Sequence, residues 1–280
     1  MSMILLPISE YRKVSASLDG IGFNTLFATT VTDGRMPGVI YVDELREPKT
    51  YLVAHPYGMS LLLGETDNAE FNRSLADYMM NKGGFRKRPE WLQVHPDSWN
   101  PVIAEMLGPG LKRGKSAAMP AGEARKVVDL TRVNFRFNRE MFRKYAENLE
   151  PLPGTVVRTT AEMFDTMQGQ VIPKYFWKDA IHFINDGAGF SQVVSGKAVS
   201  TAFSAFVAEG VMEIGIETVA EHRGKGYAEL VSRAFVDHCV RNNLEPVWSC
   251  RLDNASSHKL ARKLGFEETL KIPYYQLVSG

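Results

Sequence analysis

One stretch of this chain constrains its fold more than any other. A β-type run from Val211 to Thr218 is followed within a few residues by Arg223, Gly224, Lys225 and Gly226, and then by a long amphipathic segment over about 226–242. In that segment Ala228, Val231, Ala234, Phe235, His238 and Cys239 share one helical face, and Glu229, Arg233, Asp237 and Arg241 share the other. A strand that turns sharply into a helix points backbone N–H groups at whatever sits before the helix. Gly224 and Gly226 let an anion approach without Cβ obstruction. The helix N-terminus contributes partial positive charge, and Arg223 and Lys225 add full charges. Pyrophosphate is the natural ligand of such a junction. On this evidence alone a capped turn with two solvated bases is an equal alternative.

The surroundings of the junction narrow the reading. Arg223, Gly226 and Ala228 match the R/Q-x-x-G-x-G/A loop of the GNAT acetyltransferase superfamily. Downstream, Asn254, Ser257, Leu260, Lys263, Gly265 and Phe266 match that family's second recurrent pattern, N-x-x-A/S-x-x-L-x-x-K-x-G-F. The two patterns stand in the right order, one helix and one strand apart, so the region from about Thr155 to Gly280 resembles a GNAT domain. The string Glu213 to Thr218, with the RGKG turn and Trp248, Ser249 and Cys250, is more narrowly similar to the subgroup that includes zwittermicin A resistance acetyltransferases.

This resemblance implies transfer of acetyl from acetyl-CoA to an amine. The donor loop would comprise Arg223, Gly224, Lys225, Gly226, Tyr227 and Ala228. Backbone groups around Ile216, Glu217 and Thr218 would hold the acetyl and pantetheine, Asn254 would bond the pantetheine, and Ser257 would assist there or cap its helix. Attack on a thioester requires an uncharged amine, a donor for the oxyanion and a proton for the departing thiolate. Glu213 and Glu217 project from one face of their strand. Glu217 is the preferred proton acceptor because it is nearest the acetyl position, and Glu213 is the second candidate. Many family members carry a Tyr four residues before the Gly of the second pattern, but this chain has Ala261. Tyr227, Ser257, Cys250 and a water all remain open as the thiolate's proton source.

The rest of the chain limits the alternatives. Lys plus Arg number 33 and Asp plus Glu 32, so the formal charge of +1 provides no global field for nucleic acid or an anionic membrane. No run approaches the roughly 20 apolar residues of a membrane helix. The N-terminus lacks the basic region and cleavage site of a signal peptide. Cys239 and Cys250 fit no metal pattern and read as reduced thiols of a cytoplasmic protein. His55, His95, His182, His238 and His258 lack ligand spacing, so no metal is expected. His222 reads as a turn histidine. The runs Arg86, Lys87, Arg88 and Lys112, Arg113, Lys115 read as solvated loops, and Tyr175, Phe176 and Trp177 as core with a share in a substrate wall.

Residues 38–107 carry the order three strands, helix, strand, helix, which is also the central order of the C-terminal half. Strands are expected over 38–45, 50–55, 59–63 and 91–94. Asp67 should cap a helix that buries Phe71, Leu75, Tyr78 and Met79, and a helix over 139–149 should bury Met141, Tyr145 and Leu149. Helices are also expected around 162–167 and 175–185, with strands over 127–130 and 271–278. The organisation expected is an N-terminal α/β lobe over 1–120, a degenerate GNAT-like repeat; a connecting segment over 121–154; and a catalytic α/β GNAT domain over 155–280, with a mixed central sheet and flanking helices. The first lobe's strand-to-helix junction reads Gly64, Glu65, Thr66, Asp67, Asn68, with Glu70 following, and its carboxylates would repel pyrophosphate. One acetyl-CoA site per chain and a small-molecule amine acceptor follow. An acyl-CoA sensor of weak activity and a protein or peptide acetylase are the alternatives.

Overall fold

Runs of buried β-branched and aliphatic residues alternate with amphipathic helices along the chain. The computed structural model describes residues 3–114, 127–147 and 149–279. They form two compact units: Met1–Val133 with Arg251–Asn254 and Leu270–Gly280, and Asn134–Cys250 with Ala255–Thr269. The boundary expected at residue 120 lies outside the described residues, as does Lys115. The segment expected to connect the lobes carries a long strand and a helix.

In the first unit the order is β1 (Ile4–Leu5), α1 (Leu26–Thr32), β2 (Val39–Val42), β3 (Thr50–His55), β4 (Met59–Gly64), α2 (Ala69–Met79), β5 (Glu90–His95), α3 (Trp99–Leu107), β6 (Leu111–Arg113) and the start of β7 (Val127–Phe137). Strands β1 to β4 form an antiparallel meander, and β4 then pairs parallel with β5. Residues of β3 and β4 are buried on both faces, as central strands require. Phe71, Leu75, Tyr78 and Met79 of α2 pack with Trp99, Ile103 and Leu107 of α3 in one core. The cap of α2 falls one residue later than expected: Asn68, not Asp67, accepts from the Phe71 N–H, at 3.1 Å.

Arg86 departs from the solvated reading. It is 7% exposed, and its guanidinium donates to the Glu90 carboxylate at 3.1 Å and to the carbonyls of Tyr78 and Val278 at 2.8 and 2.7 Å. It also lies 4.6 Å over the Tyr78 ring, whose hydroxyl bonds Glu90 at 2.7 Å. A buried guanidinium needs such a full set of acceptors. Lys87 and Arg88 are exposed.

The second unit continues with α4 (Arg139–Glu147), β8 (Val156–Arg158), α5 (Ala161–Thr166), α6 (Ala180–Asp186), β9 (Gly189–Val194), β10 (Lys197–Ala208), β11 (Val211–Thr218), α7 (Tyr227–Arg241), β12 (Glu245–Arg251), α8 (Ala255–Lys263) and β13 (Phe266–Leu277). Strands β8 to β11 are antiparallel neighbours, and β11 pairs parallel with β12. Helix α4 buries Phe142 instead of the expected Met141 and Leu149, both of which are exposed. One aromatic anchors it, with the Phe142 ring 5.8 Å from Phe137. The helix expected from Tyr175 begins only at Ala180, capped by Asp179. Strands β7 and β13 are much longer than expected.

Candidate active site

The carboxyl end of β11 and the start of α7 form the centre of the site. Strand β11 pairs with β12 only at Val211, Met212 and Glu213, opposite Glu245, Pro246 and Val247. Beyond these positions the two strands part. From Ile214 to Thr218 the strand keeps its antiparallel partner β10 on one side, and its other edge presents backbone donors and acceptors to the gap. The register of β10 slips between Ser204 and Phe206, opposite Ile214 and Glu213. A bulge there bends the strand pair where β11 leaves β12.

The turn that follows leaves its backbone donors open. Gly224 and Gly226 have φ of +75° and +79°, a region open to glycine, and a Cβ at either would meet nothing within 4 Å. Gly226 caps α7 without any side-chain hydrogen bond. Among the described residues, the amides of 224–228 enter no turn or cap hydrogen bond, so they stay available to a ligand at the positive end of a four-turn helix. Lys225 is exposed beside them. The Arg223 side chain folds back instead: Nε donates to the Thr218 carbonyl at 3.0 Å, and the guanidinium lies 3.5 Å from Glu217.

The two candidate carboxylates occupy different settings. Glu213 is buried at the point where the strands part, and the Ser249 hydroxyl of β12 donates to it at 2.8 Å. Glu217 accepts at one oxygen from the backbone N–H groups of Gln170 and Val171, at 3.0 and 2.9 Å, and presents the other oxygen to Arg223. Between them Gly215 is obligatory, because a Cβ there would meet the Phe203 ring at 2.6 Å. Phe176 stacks edge-on against Phe203 and Phe206, at 5.4 and 5.3 Å, and the Trp177 indole donates to the Ser204 carbonyl at 2.7 Å. Phe176 is therefore core, while Tyr175 and Trp177 are half-buried.

Lys263, Gly265 and Phe266 of the second motif make contacts that hold the unit together. Lys263 bonds Glu229 in the first turn of α7 at 2.7 Å, and the Tyr145 hydroxyl bonds the same carboxylate at 2.7 Å. Three helices are thereby tied together at the base of the phosphate loop. Gly265 has φ +86°, and a Cβ there would lie 2.8 Å from the Phe142 nitrogen. Phe266 is buried against Trp248, with rings 5.3 Å apart. Ser257 accepts from the Trp248 indole at 3.1 Å and stands inside α8, past its first residue. Asn254 falls in the short 251–254 stretch that groups with the first unit, and its N–H donates to the Arg251 carbonyl at 3.0 Å. Ala261 is fully buried, and burial pushes the Cys239 thiol up to about 12. His222 is half-buried, 6.1 Å from the Tyr227 ring. No group of three or more metal-ligating side chains is found among the described residues, and none of their helices is long and apolar enough to cross a membrane.

Sequence reasoning missed Gly169, Gln170 and Val171, whose only local signal is a glycine ahead of Pro173. It also missed Tyr145 as a hydrogen-bonding residue, having read it as apolar.

Comparison with known proteins extends the resemblance to most of the chain. The GNAT acetyltransferase family model matches residues 20–275. An uncharacterised N-acetyltransferase of Bacillus subtilis, YdfB, is 26% identical over 252 residues, covering 89% of each chain. The crystal structure of a GCN5-related N-acetyltransferase-like protein from Streptococcus suis superposes with a TM-score of 0.69 at 22% identity, over 97% of this chain and all of that one. A tandem GNAT protein from the clavulanic acid biosynthesis pathway superposes with a TM-score of 0.58 at 11% identity, over 99% and 98% of the two chains. With the uncapped glycine junction and the parting strands in place, the chain belongs to the GNAT acetyltransferase family.

Proposed function

We propose that the protein transfers acetyl from acetyl-CoA to a primary amine of a small molecule, with the donor held by the second unit alone. The observation that carries this reading is the divergence of β11 from β12 directly before an uncapped, glycine-built helix start. The amides of 224–228 and Lys225 would hold the pyrophosphate, and the open edge from Ile214 to Thr218 would hold the pantetheine and thioester. Backbone donors on that edge also suit the oxyanion of the tetrahedral intermediate.

Within this reading Glu213 is the better proton acceptor. It stands where the strands open, whereas the oxygens of Glu217 are already committed to two amides and a guanidinium. The thiolate leaving group would take its proton from solvent, since Ala261 supplies none. The acceptor would enter over the face of β11 that bears Glu213, Gly215 and Glu217, bordered by residues 169–177. The likeness of Glu213 to Thr218 and of Trp248 to Cys250 to zwittermicin A resistance acetyltransferases favours an amine-bearing antibiotic or metabolite over a protein substrate.

Thiol release from acetyl-CoA with a panel of small primary amines tests the reading. Glu213→Gln should lower kcat on the order of 100-fold at neutral pH, the deficit shrinking at alkaline pH as free amine accumulates. Tight CoA binding without turnover on any amine would point to an acyl-CoA sensor instead.

A further inference from the structure

The segment over 168–172 lies between α5 and a short 3₁₀ turn and has little regular structure of its own. Ile172 anchors its end in the core, and Glu217 holds its middle. One carboxylate oxygen accepts from both the Gln170 and the Val171 N–H. Charge-assisted bonds of this kind are roughly twice as strong as neutral ones. Gly169 makes the approach feasible: its φ is +151°, and a Cβ would strike the Glu217 Cγ at 2.8 Å and Ile172 at 3.0 Å. The second oxygen faces Arg223, whose Nε is pinned to the Thr218 carbonyl.

Arg223 is the first residue of the phosphate loop, yet its side chain turns away from the open amides of 224–228 and grips the end of β11. The loop and the segment 169–172 are thus joined through one carboxylate. We infer that Glu217 is a positioning residue coupling the two substrate subsites: donor binding that immobilises the 223–228 loop is passed through Arg223 and Glu217 to residues 169–172, which then present a fixed wall to the acceptor. Such coupling is reciprocal, so the acceptor would bind more tightly to the donor complex than to the free protein. The inference rests on the donor-site reading above and adds an energetic coupling between the two substrates.

The geometry offers a clean separation of the two oxygens. In Glu217→Gln the carboxamide oxygen can keep the place held by two amide donors, while the NH₂ group faces Arg223 and breaks that link. In Glu217→Ala both links go. The full-length protein and both variants are followed by amide hydrogen exchange of a peptide spanning 168–172, with and without saturating CoA, and CoA binding is read separately from the rise in Tm.

In the wild type, CoA should slow exchange of this peptide on the order of fivefold. In Glu217→Gln exchange without CoA should rise modestly, as neutral bonds replace charge-assisted ones, and CoA should still raise Tm, but the CoA-dependent slowing should vanish. Exchange in Glu217→Ala should be fast with or without CoA. Equal slowing in wild type and Glu217→Gln would overturn the coupling. So would an unchanged wild-type rate while CoA raises Tm. If CoA raises the Tm of none of the proteins, the donor-site reading itself fails and the coupling with it.

Discussion

The two units carry the same order of elements in the same pairing sense, and only one of them carries the features of a donor site. In each, three antiparallel strands lead into a helix and then into a strand parallel to the third, followed by a second helix: β2, β3, β4, α2, β5, α3 in the first unit and β9, β10, β11, α7, β12, α8 in the second. The difference lies in a few residues at the strand-to-helix junction. In the first unit β4 and β5 stay paired from Met59 to Leu63, opposite Trp91 to His95, so no gap opens between them. In the second the pairing ends at Glu213. Helix α2 is closed by Asn68, whose side chain consumes the Phe71 amide, and is flanked by Glu65, Asp67 and Glu70. Helix α7 starts at a glycine without a side-chain cap and is flanked by Arg223 and Lys225. Topology supplies the frame, and the sign and availability of donors at one turn decide whether it binds an anion.

The largest expected effect tests whether the first unit contributes stability alone. In Arg86→Met the Glu90 carboxylate loses its buried partner and the Tyr78 and Val278 carbonyls lose their donor. Leaving a buried charge unpaired costs about 3–5 kcal/mol, which urea unfolding should register as a lowered midpoint. The folded fraction should bind CoA as before. Loss of CoA affinity in that fraction would break the separation drawn between the units.

Gly226→Glu attacks the other side of the comparison. It forces a Cβ into φ +79°, and it gives α7 the kind of acidic junction that α2 has. Backbone strain of about 1–3 kcal/mol and a new like charge should together weaken CoA binding by roughly 100-fold or more. The rise in Tm with CoA is the measurement, and a wild-type rise in this variant would remove the phosphate loop from the donor site.

The first unit is also expected to be acid-sensitive at one buried group. His55 of β3 is 3% exposed, and burial lowers its pKa from 6.5 to about 3. The folded state then binds fewer protons than the unfolded state between those values. The contribution of this group is complete above pH 6.5 and is lost as pH falls towards 3, by about 1.4 kcal/mol per pH unit. Near pH 5 the loss is about 2 kcal/mol. His55→Gln should flatten this limb of the stability profile; an unchanged slope would show that His55 is not buried in its neutral form.

The sequence exposed the elements whose signal is local. Strands β3 and β11 match the expected bounds residue for residue, and α7, Tyr227–Arg241, falls within the expected 226–242. The misreadings arise where a distant partner decides. Arg86 looked solvated because its acceptor at Val278 is 192 residues away. Helix α4 looked as if it buried Met141, Tyr145 and Leu149, yet its apolar anchor is Phe142, set by Phe137, and Tyr145 reaches Glu229 through its hydroxyl. The engagement of Glu217 with Gln170 and Val171, 47 and 46 residues earlier, is likewise invisible in the sequence. The glycine turn of the proposed donor loop was legible because its backbone geometry and neighbouring charge are both written into contiguous residues.

The smallest expected effect sharpens the account of why the first junction is silent. Asn68→Gly removes the side-chain cap of α2 and leaves its N-terminus as open as that of α7, at a cost of only a few tenths of a kcal/mol. If a free helix start were sufficient for phosphate binding, this variant would gain a second CoA site, and titration calorimetry would show a stoichiometry near two. The expected stoichiometry stays at one. Glu65, Asp67 and Glu70 still oppose an anion, and the pairing of β4 with β5 still leaves no gap for the pantetheine. A second site would shift the explanation from charge and strand divergence to the cap alone.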